Sequence, residues 1–187
     1  RRSSDEPAWK GAECHAFRYR KGGSSGTEDR ARVAYTVGSS VRSAPLTSAP
    51  HWIRDDAALA ALCARCQTLP FIALDTEFMR VDTFYPKAGL IQIGDGEQAY
   101  LVDPLCIGDW TPFAALLEDP AVVKVLHACS EDLEVLLRLT GSLPQPLYDT
   151  QLAAAYLGLA HSMGYSRLVA EVLKIDIPKD ETRSDWL

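Results

Sequence analysis

No stretch of this chain approaches the roughly 18 apolar residues that a membrane-spanning helix needs. The N-terminal Arg-Arg-Ser-Ser-Asp has no apolar core, so no secretory signal is expected. A disulfide framework is lacking too. The five cysteines (Cys14, Cys63, Cys66, Cys106 and Cys129) are odd in number and lack framework spacing, which points to free thiols in a reducing compartment. Cys63-Ala-Arg-Cys66 has no second pair to complete a zinc site. It falls in an alanine- and leucine-rich helical pattern and reads as two thiols on one helix face. These absences lead to the expectation of a cytoplasmic protein with no membrane partner.

What is present is 187 residues, 47% hydrophobic and 24% charged, enough for one globular domain with a core. The net charge of −6 is unevenly spread: residues 1–50 hold nine Lys and Arg against five Asp and Glu, and the rest holds ten against twenty. An acidic body is not the usual footprint of a nucleic-acid binder. It is compatible with a carboxylate cluster around cations, whose charge reverses the local field. Residues 1–50 are rich in Ser, Gly and Arg, with Gly22-Gly23-Ser24-Ser25-Gly26 in the middle. They are expected to form a flexible or disordered tail, with the domain over residues 51–187.

Order is expected from near Trp52. Asp55 or Asp56 caps a helix to about Cys66, with Leu59, Leu62, Cys63 and Cys66 on one side. Three strands follow: Phe71 to Phe78, Leu90 to Gly94, and Ala99 to Val102, the last two joined by an Asp95-Gly96 turn. They predict an antiparallel meander. Thr111-Pro112 opens a short helix to about Glu118. Val122 to Leu126 reads as an apolar central strand, buried on both faces. Ser130 is expected to cap a helix with Leu133, Leu136 and Leu137 on one face, ended by Gly141. Leu147-Tyr148 is a short strand. Asp149 caps a helix stopped at Gly158, and a last helix covers about Tyr165 to Lys174. A meander followed by alternating strands and helices predicts an α/β fold, a mixed sheet with helices packed on it.

The apolar run Phe71-Ile72-Ala73-Leu74 ends in Asp75-Thr76-Glu77. In a strand this spacing puts Asp75 and Glu77 on one face and Thr76 on the other. Two adjacent carboxylates repel and are costly to desolvate, and a cation between them removes both costs. The pair therefore reads as half of a divalent-metal site, the plainer reading being a solvated strand end. Asp132 lies in the first turn of the helix after the central strand. The helix dipole is a sufficient structural reason for an acid there. The carboxyl ends of neighbouring strands are also where open sheets assemble their sites, which would bring Asp132 towards Asp75 and Glu77.

Four segments taken together carry a resemblance: Ile72-Ala73-Leu74-Asp75-Thr76-Glu77-Phe78, Tyr85-Pro86 through Leu90-Ile91-Gln92-Ile93, Leu126-His127-Ala128 through Glu131-Asp132-Leu133-Glu134, and Tyr148-Asp149-Thr150-Gln151. With the closing Ser184-Asp185-Trp186, they make the chain from about His51 to Leu187 resemble the exonuclease domain of the ribonuclease D family, in the DEDD superfamily of 3′→5′ exonucleases. The resemblance implies a ribonuclease H-like fold and removal of nucleotides from RNA with a free 3′ end, as in transfer-RNA processing. It implies that Asp75, Glu77 and Asp132 are the catalytic and metal-binding residues, holding two Mg²⁺ or Mn²⁺ ions. The family's third motif, Tyr-x-x-x-Asp, is missing: none of the seven tyrosines is followed four residues on by Asp. The expected fold is thus C-terminally incomplete and the metal site lacks its fourth acid. Two further readings stay open: a non-catalytic fragment that binds nucleic acid or a partner, and a DNA-directed exonuclease.

His127-x-x-x-x-Asp132 also fits the third motif of the His-type subclass, although the surrounding sequence matches the second. Tyr85, Lys87, Gln92 and His127 are candidate substrate contacts through stacking, phosphate attraction or hydrogen bonding. Lys179 and Arg183 are candidate phosphate contacts. Asp149 is expected near the site, with its capping role as the structural explanation.

Overall fold

The computed structural model describes residues 50–80 and 84–177. The expected tail, apart from Pro50, lies outside these residues, as do Lys179, Arg183 and the Ser184-Asp185-Trp186 ending. The elements run β1 (His51–Ile53), α1 (Asp56–Cys66), β2 (Phe71–Met79), β3 (Lys87–Gly94), β4 (Ala99–Val102), a 3-10 turn (Pro104–Cys106), α2 (Thr111–Glu118), β5 (Val123–Leu126), α3 (Ser130–Thr140), β6 (Leu147–Asp149), α4 (Thr150–Tyr156) and α5 (Tyr165–Leu173). No helix among the described residues is long and apolar enough to cross a membrane.

The strands form one mixed sheet in the order β1-β4-β3-β2-β5-β6. β2, β3 and β4 are the expected antiparallel meander, and β5 and β6 continue the sheet in parallel beside β2. β1 was not expected; it pairs in parallel with β4, His51 opposite Tyr100 and Ile53 opposite Val102. Three residues carry too little periodicity to announce a strand.

The register gives the sheet two unlike faces. Thr76 stands opposite Ile91 and Leu74 opposite Ile93, and these face the core with Ile72, Tyr100 and Val102. There they meet Leu59 and Leu62 of α1, Phe113, Leu116 and Leu117 of α2, and Val135 and Leu136 of α3. The other face carries Asp75 opposite Gln92, and Ala73 opposite Val125. One alternation of period two thus separates the core from the polar face.

Several local expectations hold. Asp55 caps α1, its Oδ1 accepting from the Ala58 N–H at 2.8 Å. Gly96 takes φ +93° in the Asp95-Gly96 turn, a conformation few other residues tolerate. Gly141 ends α3 in the left-handed region, its N–H donating to the Leu137 carbonyl at 2.9 Å. Others are corrected. Ser130 does not cap α3: Cys129 holds that position with no side-chain capping hydrogen bond. Thr111 is the first residue of α2 rather than its cap, and Asp109 Oδ1 takes its N–H at 2.9 Å. Leu137, expected on the buried face of α3, is exposed, while Val135 and Leu136 are buried.

β5 is not uniformly apolar. Lys124 is fully buried in it, opposite Ile72. Its Nζ donates to the carbonyls of Asp119 at 2.7 Å and Gln145 at 2.8 Å, tying together the loops at the foot of the sheet. Burial lowers its pKa and Asp119 opposes that. Cys63, Cys66 and Cys129 are free and buried. Burial, and then mutual repulsion, push the Cys63 thiol up to about 12, so the C-x-x-C pair is inert packing. Cys14 lies outside the described residues.

Candidate active site

β2 runs past the end of its partner β5. The two pair only over Phe71–Ala73, opposite Val123–Val125, and beyond Leu126 the chain turns away. Ala128 sits at φ 55°, a left-handed conformation uncommon for alanine, and α3 starts two residues later. The backbone of β2 at Thr76 is therefore left without a sheet partner on this side. Asp132, in the first turn of α3, fills the gap. Its Oδ1 accepts from the Thr76 N–H at 3.2 Å and from Thr76 Oγ1 at 2.6 Å. A buried N–H has to be satisfied somewhere, and here it draws α3 and its acid to the middle of β2.

Asp75 and Glu77 project from the face opposite Thr76. The Asp75 Oδ2 accepts from Gln92 Nε2 on β3 at 3.0 Å. Gln92, a candidate substrate contact, thus orients Asp75. Burial, then the charges of Asp132 and Glu77, push the Asp75 carboxyl up to about 7. Asp75 nevertheless remains exposed to solvent, which moderates that shift. Burial and Asp132 also raise the Glu77 carboxyl. Among the described residues, no cationic side chain pairs with any of the three acids. Arg80, just past β2, pairs instead with Glu134 and with Glu131 of α3.

The three acids share one neighbourhood: the charge of Asp132 raises the proton affinity of Asp75 and of Glu77, and that of Glu77 raises Asp75. They are not drawn into a cage: among the described residues, no group of three His, Cys, Asp or Glu side chains stands ready to hold an ion. Asp132 is turned to Thr76 and Asp75 to Gln92. The donor chemistry nevertheless fits a hard divalent cation, which prefers carboxylate oxygens and cancels the repulsion among them.

His127, directly after β5, is brought to the same face. Its Nδ1 bonds Thr150 Oγ1 at 2.8 Å, and that hydroxyl donates to the Leu126 carbonyl at 3.1 Å. Its Nε2 is buried without a hydrogen-bond partner. The ring meets Tyr165 edge to face, centroids 5.5 Å apart. Tyr165, at the start of α5, went unnoticed in the sequence. Partial burial, and then the negative charge of Asp75, push its phenol up. A tyrosine opening a helix has no spacing signature, so only the fold could reveal it.

Asp149 lies at the end of β6 and braces the site. Its Oδ1 accepts from the N–H groups of Gln151 at 2.7 Å and Leu152 at 3.3 Å, capping α4. It also accepts from Ala128 N–H, and its Oδ2 from Cys129 N–H, each at 3.1 Å. Burial would raise its carboxyl, but the Cys129 and Ala128 N–H groups outweigh that and hold it low. Its role is to fix the turn that aims α3, and with it Asp132. Tyr85 stands farther off, its ring under the Arg138 guanidinium.

A family model described as 3′-5′ exonuclease matches residues 50–187. The chain belongs to the 3′-5′ exonuclease family. The ribonuclease D of Pseudomonas paraeruginosa is 76% identical over 136 residues, 73% of this chain and 36% of that protein. The crystal structure of Escherichia coli RNase D, an exoribonuclease involved in structured RNA processing, shares the fold with a TM-score of 0.71 and 50% identity, over 74% of this chain and 37% of that one. The catalytic core of RRP6 from Trypanosoma brucei matches with a TM-score of 0.68 at 26% identity, over 75% of this chain and 39% of that one. This exonuclease-family chain thus spans about 36% of the length of the curated relatives it matches. The ribonuclease H-like α/β arrangement expected from the sequence is the one observed.

Proposed function

We propose that this domain belongs to a metal-dependent 3′→5′ exoribonuclease that shortens RNA from a free 3′ end, transfer-RNA precursors among its substrates. The observation that carries this reading is the trio Asp75, Glu77 and Asp132. They repel one another, and no cationic side chain among the described residues offsets them. A strongly perturbed acid beside other carboxylates, as Asp75 is, is a mark of functional sites.

Asp75, Glu77 and Asp132 would hold divalent cations, Mg²⁺ or Mn²⁺, which when bound supply the Lewis acidity that activates water and stabilises the leaving 3′-oxygen. Gln92 sets the orientation of Asp75, and Thr76 sets that of Asp132. The two acids therefore enter from different elements, each with its rotamer restrained, as a pre-organised site requires. Glu77 would orient the attacking water; burial and the charge of Asp132 raise its carboxyl. The His127 ring packs against Tyr165, whose phenol feels the charge of Asp75.

The test uses a form of the protein with the full length of its relatives. Mn²⁺-dependent release of a 3′-terminal label from RNA should be lost on Asp75→Asn. Undiminished release would overturn the reading, and preference for a DNA 3′ end would redirect the substrate.

A further inference from the structure

Two aromatic residues just before β3 lie at the flank of α3. Phe84 and Tyr85 meet edge to face, centroids 4.8 Å apart and rings at 86°. The Arg138 guanidinium lies 3.5 Å from the Tyr85 ring centroid. Tyr85 is thus held between a cation and a second ring, while Phe84 is 85% exposed. Leaving a phenylalanine in water forfeits about 1.5–3 kcal/mol of burial, so packing gives no reason for it.

The charges around the pair are cationic where they are uncommitted. Arg80 is paired with Glu134 and Glu131, so these two acids of α3 are answered. Arg138, one turn beyond Glu134, is left to Tyr85, and a guanidinium stacked on a ring keeps its N–H edge directed outward. Lys87, exposed, opens β3 two residues after Tyr85. Arg138 follows Asp132 by six residues, about 9 Å along the helix at 1.5 Å per residue. That is the span of roughly two to three stacked nucleotides at 3.4 Å each.

We infer that Phe84 is a stacking platform for one base of a single-stranded RNA, two or three nucleotides upstream of its 3′ end. Tyr85 braces Arg138, and Arg138 and Lys87 meet the neighbouring phosphates. Aromatic faces flanked by cations, beside the helix that carries Asp132, suit a nucleic-acid strand better than a protein partner. The inference rests on the exonuclease reading of Asp75, Glu77 and Asp132, and names where the strand lies before it reaches them.

The test is fluorescence anisotropy of a 5′-labelled eight-nucleotide oligouridylate with the full chain in EDTA, where nothing is cleaved. Phe84→Ala should weaken binding about 5- to 100-fold, the worth of one stacked base, and Phe84→Trp should restore it. Placing an abasic sugar at the second or third nucleotide from the 3′ end should weaken the parent to a similar degree. That same strand should then lose less than about twofold on Phe84→Ala. Because Phe84 is exposed, the variants should melt with the parent. Equal binding by parent and Phe84→Ala, no binding by the parent, or equal losses on intact and abasic strands would each overturn the platform. The exonuclease reading is judged separately, by cleavage in Asp75→Asn.

Discussion

Two groups of acids in this molecule live in opposite circumstances. Asp95 and Asp149 are answered on every side. Asp95 accepts from the N–H groups of Glu97 at 2.9 Å and Gln98 at 2.7 Å, from the Tyr100 hydroxyl at 3.1 Å, and pairs with Arg65 at 2.8 Å. Burial would raise its carboxyl, yet these partners hold it low. Asp149 takes four N–H groups and is also held low. Asp75 and Glu77 are raised, by burial first and by neighbouring carboxylates next. The first group holds the fold together. The second costs the fold something, and a chain keeps such a cost where an external cation relieves it.

If this division is right, substitutions should separate the two groups. The largest effect belongs to the second. In a full-length form, Asp75→Asn should lower the rate of 3′-end release by about 10³-fold, since a metal ligand is worth several kcal/mol and each 1.36 kcal/mol is tenfold. Next comes Asp149→Ala, which strips the cap of α4 and the acceptor for two N–H groups at the turn into α3. Urea denaturation should show a loss of about 2–4 kcal/mol. Asp95→Ala should cost about 2 kcal/mol by the same measurement, with the Asp95-Gly96 turn loosened. An unchanged midpoint in either would erase the distinction.

The smallest effect sharpens the comparison most. Without metal, the folded protein keeps the Asp75 proton up to about pH 7, against an ordinary value of 3.8. Its contribution to stability is therefore full below about pH 4 and is lost as the pH rises to about 7. Asp75→Asn does not titrate. Its stability relative to the parent should climb through that window and level off above it, by less than about 1 kcal/mol because solvent screens the site. Asp95 and Asp149 run the other way: their contributions are present above the ordinary carboxylate range and vanish on acidification. A variant that loses stability relative to the parent as the pH rises would contradict the sign.

Members of both groups were legible in the sequence. The shared face of Asp75 and Glu77 follows from period two alone, and the cap at Asp149 and the turn at Asp95-Gly96 are local signals. What hid were contacts made across the chain. Asp132 finds Thr76 only because β5 stops short and Ala128 turns the backbone. Lys124 stands in a strand read as apolar, and two carbonyls from the loops at Asp119 and Gln145 allow its charge to be buried. Cys129 and Trp110 sit at helix starts without the side-chain bonds that a cap is expected to make. Tyr165 and Phe84 have no spacing to mark them; one is placed by α5 and the other by the flank of α3.

The central claim is that Asp75, Glu77 and Asp132 are kept uncompensated for a divalent cation. Thermal unfolding of the parent and of Asp75→Asn at pH 7.5, each titrated with Mn²⁺, tests it directly. A cation that binds only the folded state raises the melting temperature with concentration. The account predicts such a rise for the parent and little or none for Asp75→Asn. Equal shifts in the two proteins, or no shift in the parent, would contradict it.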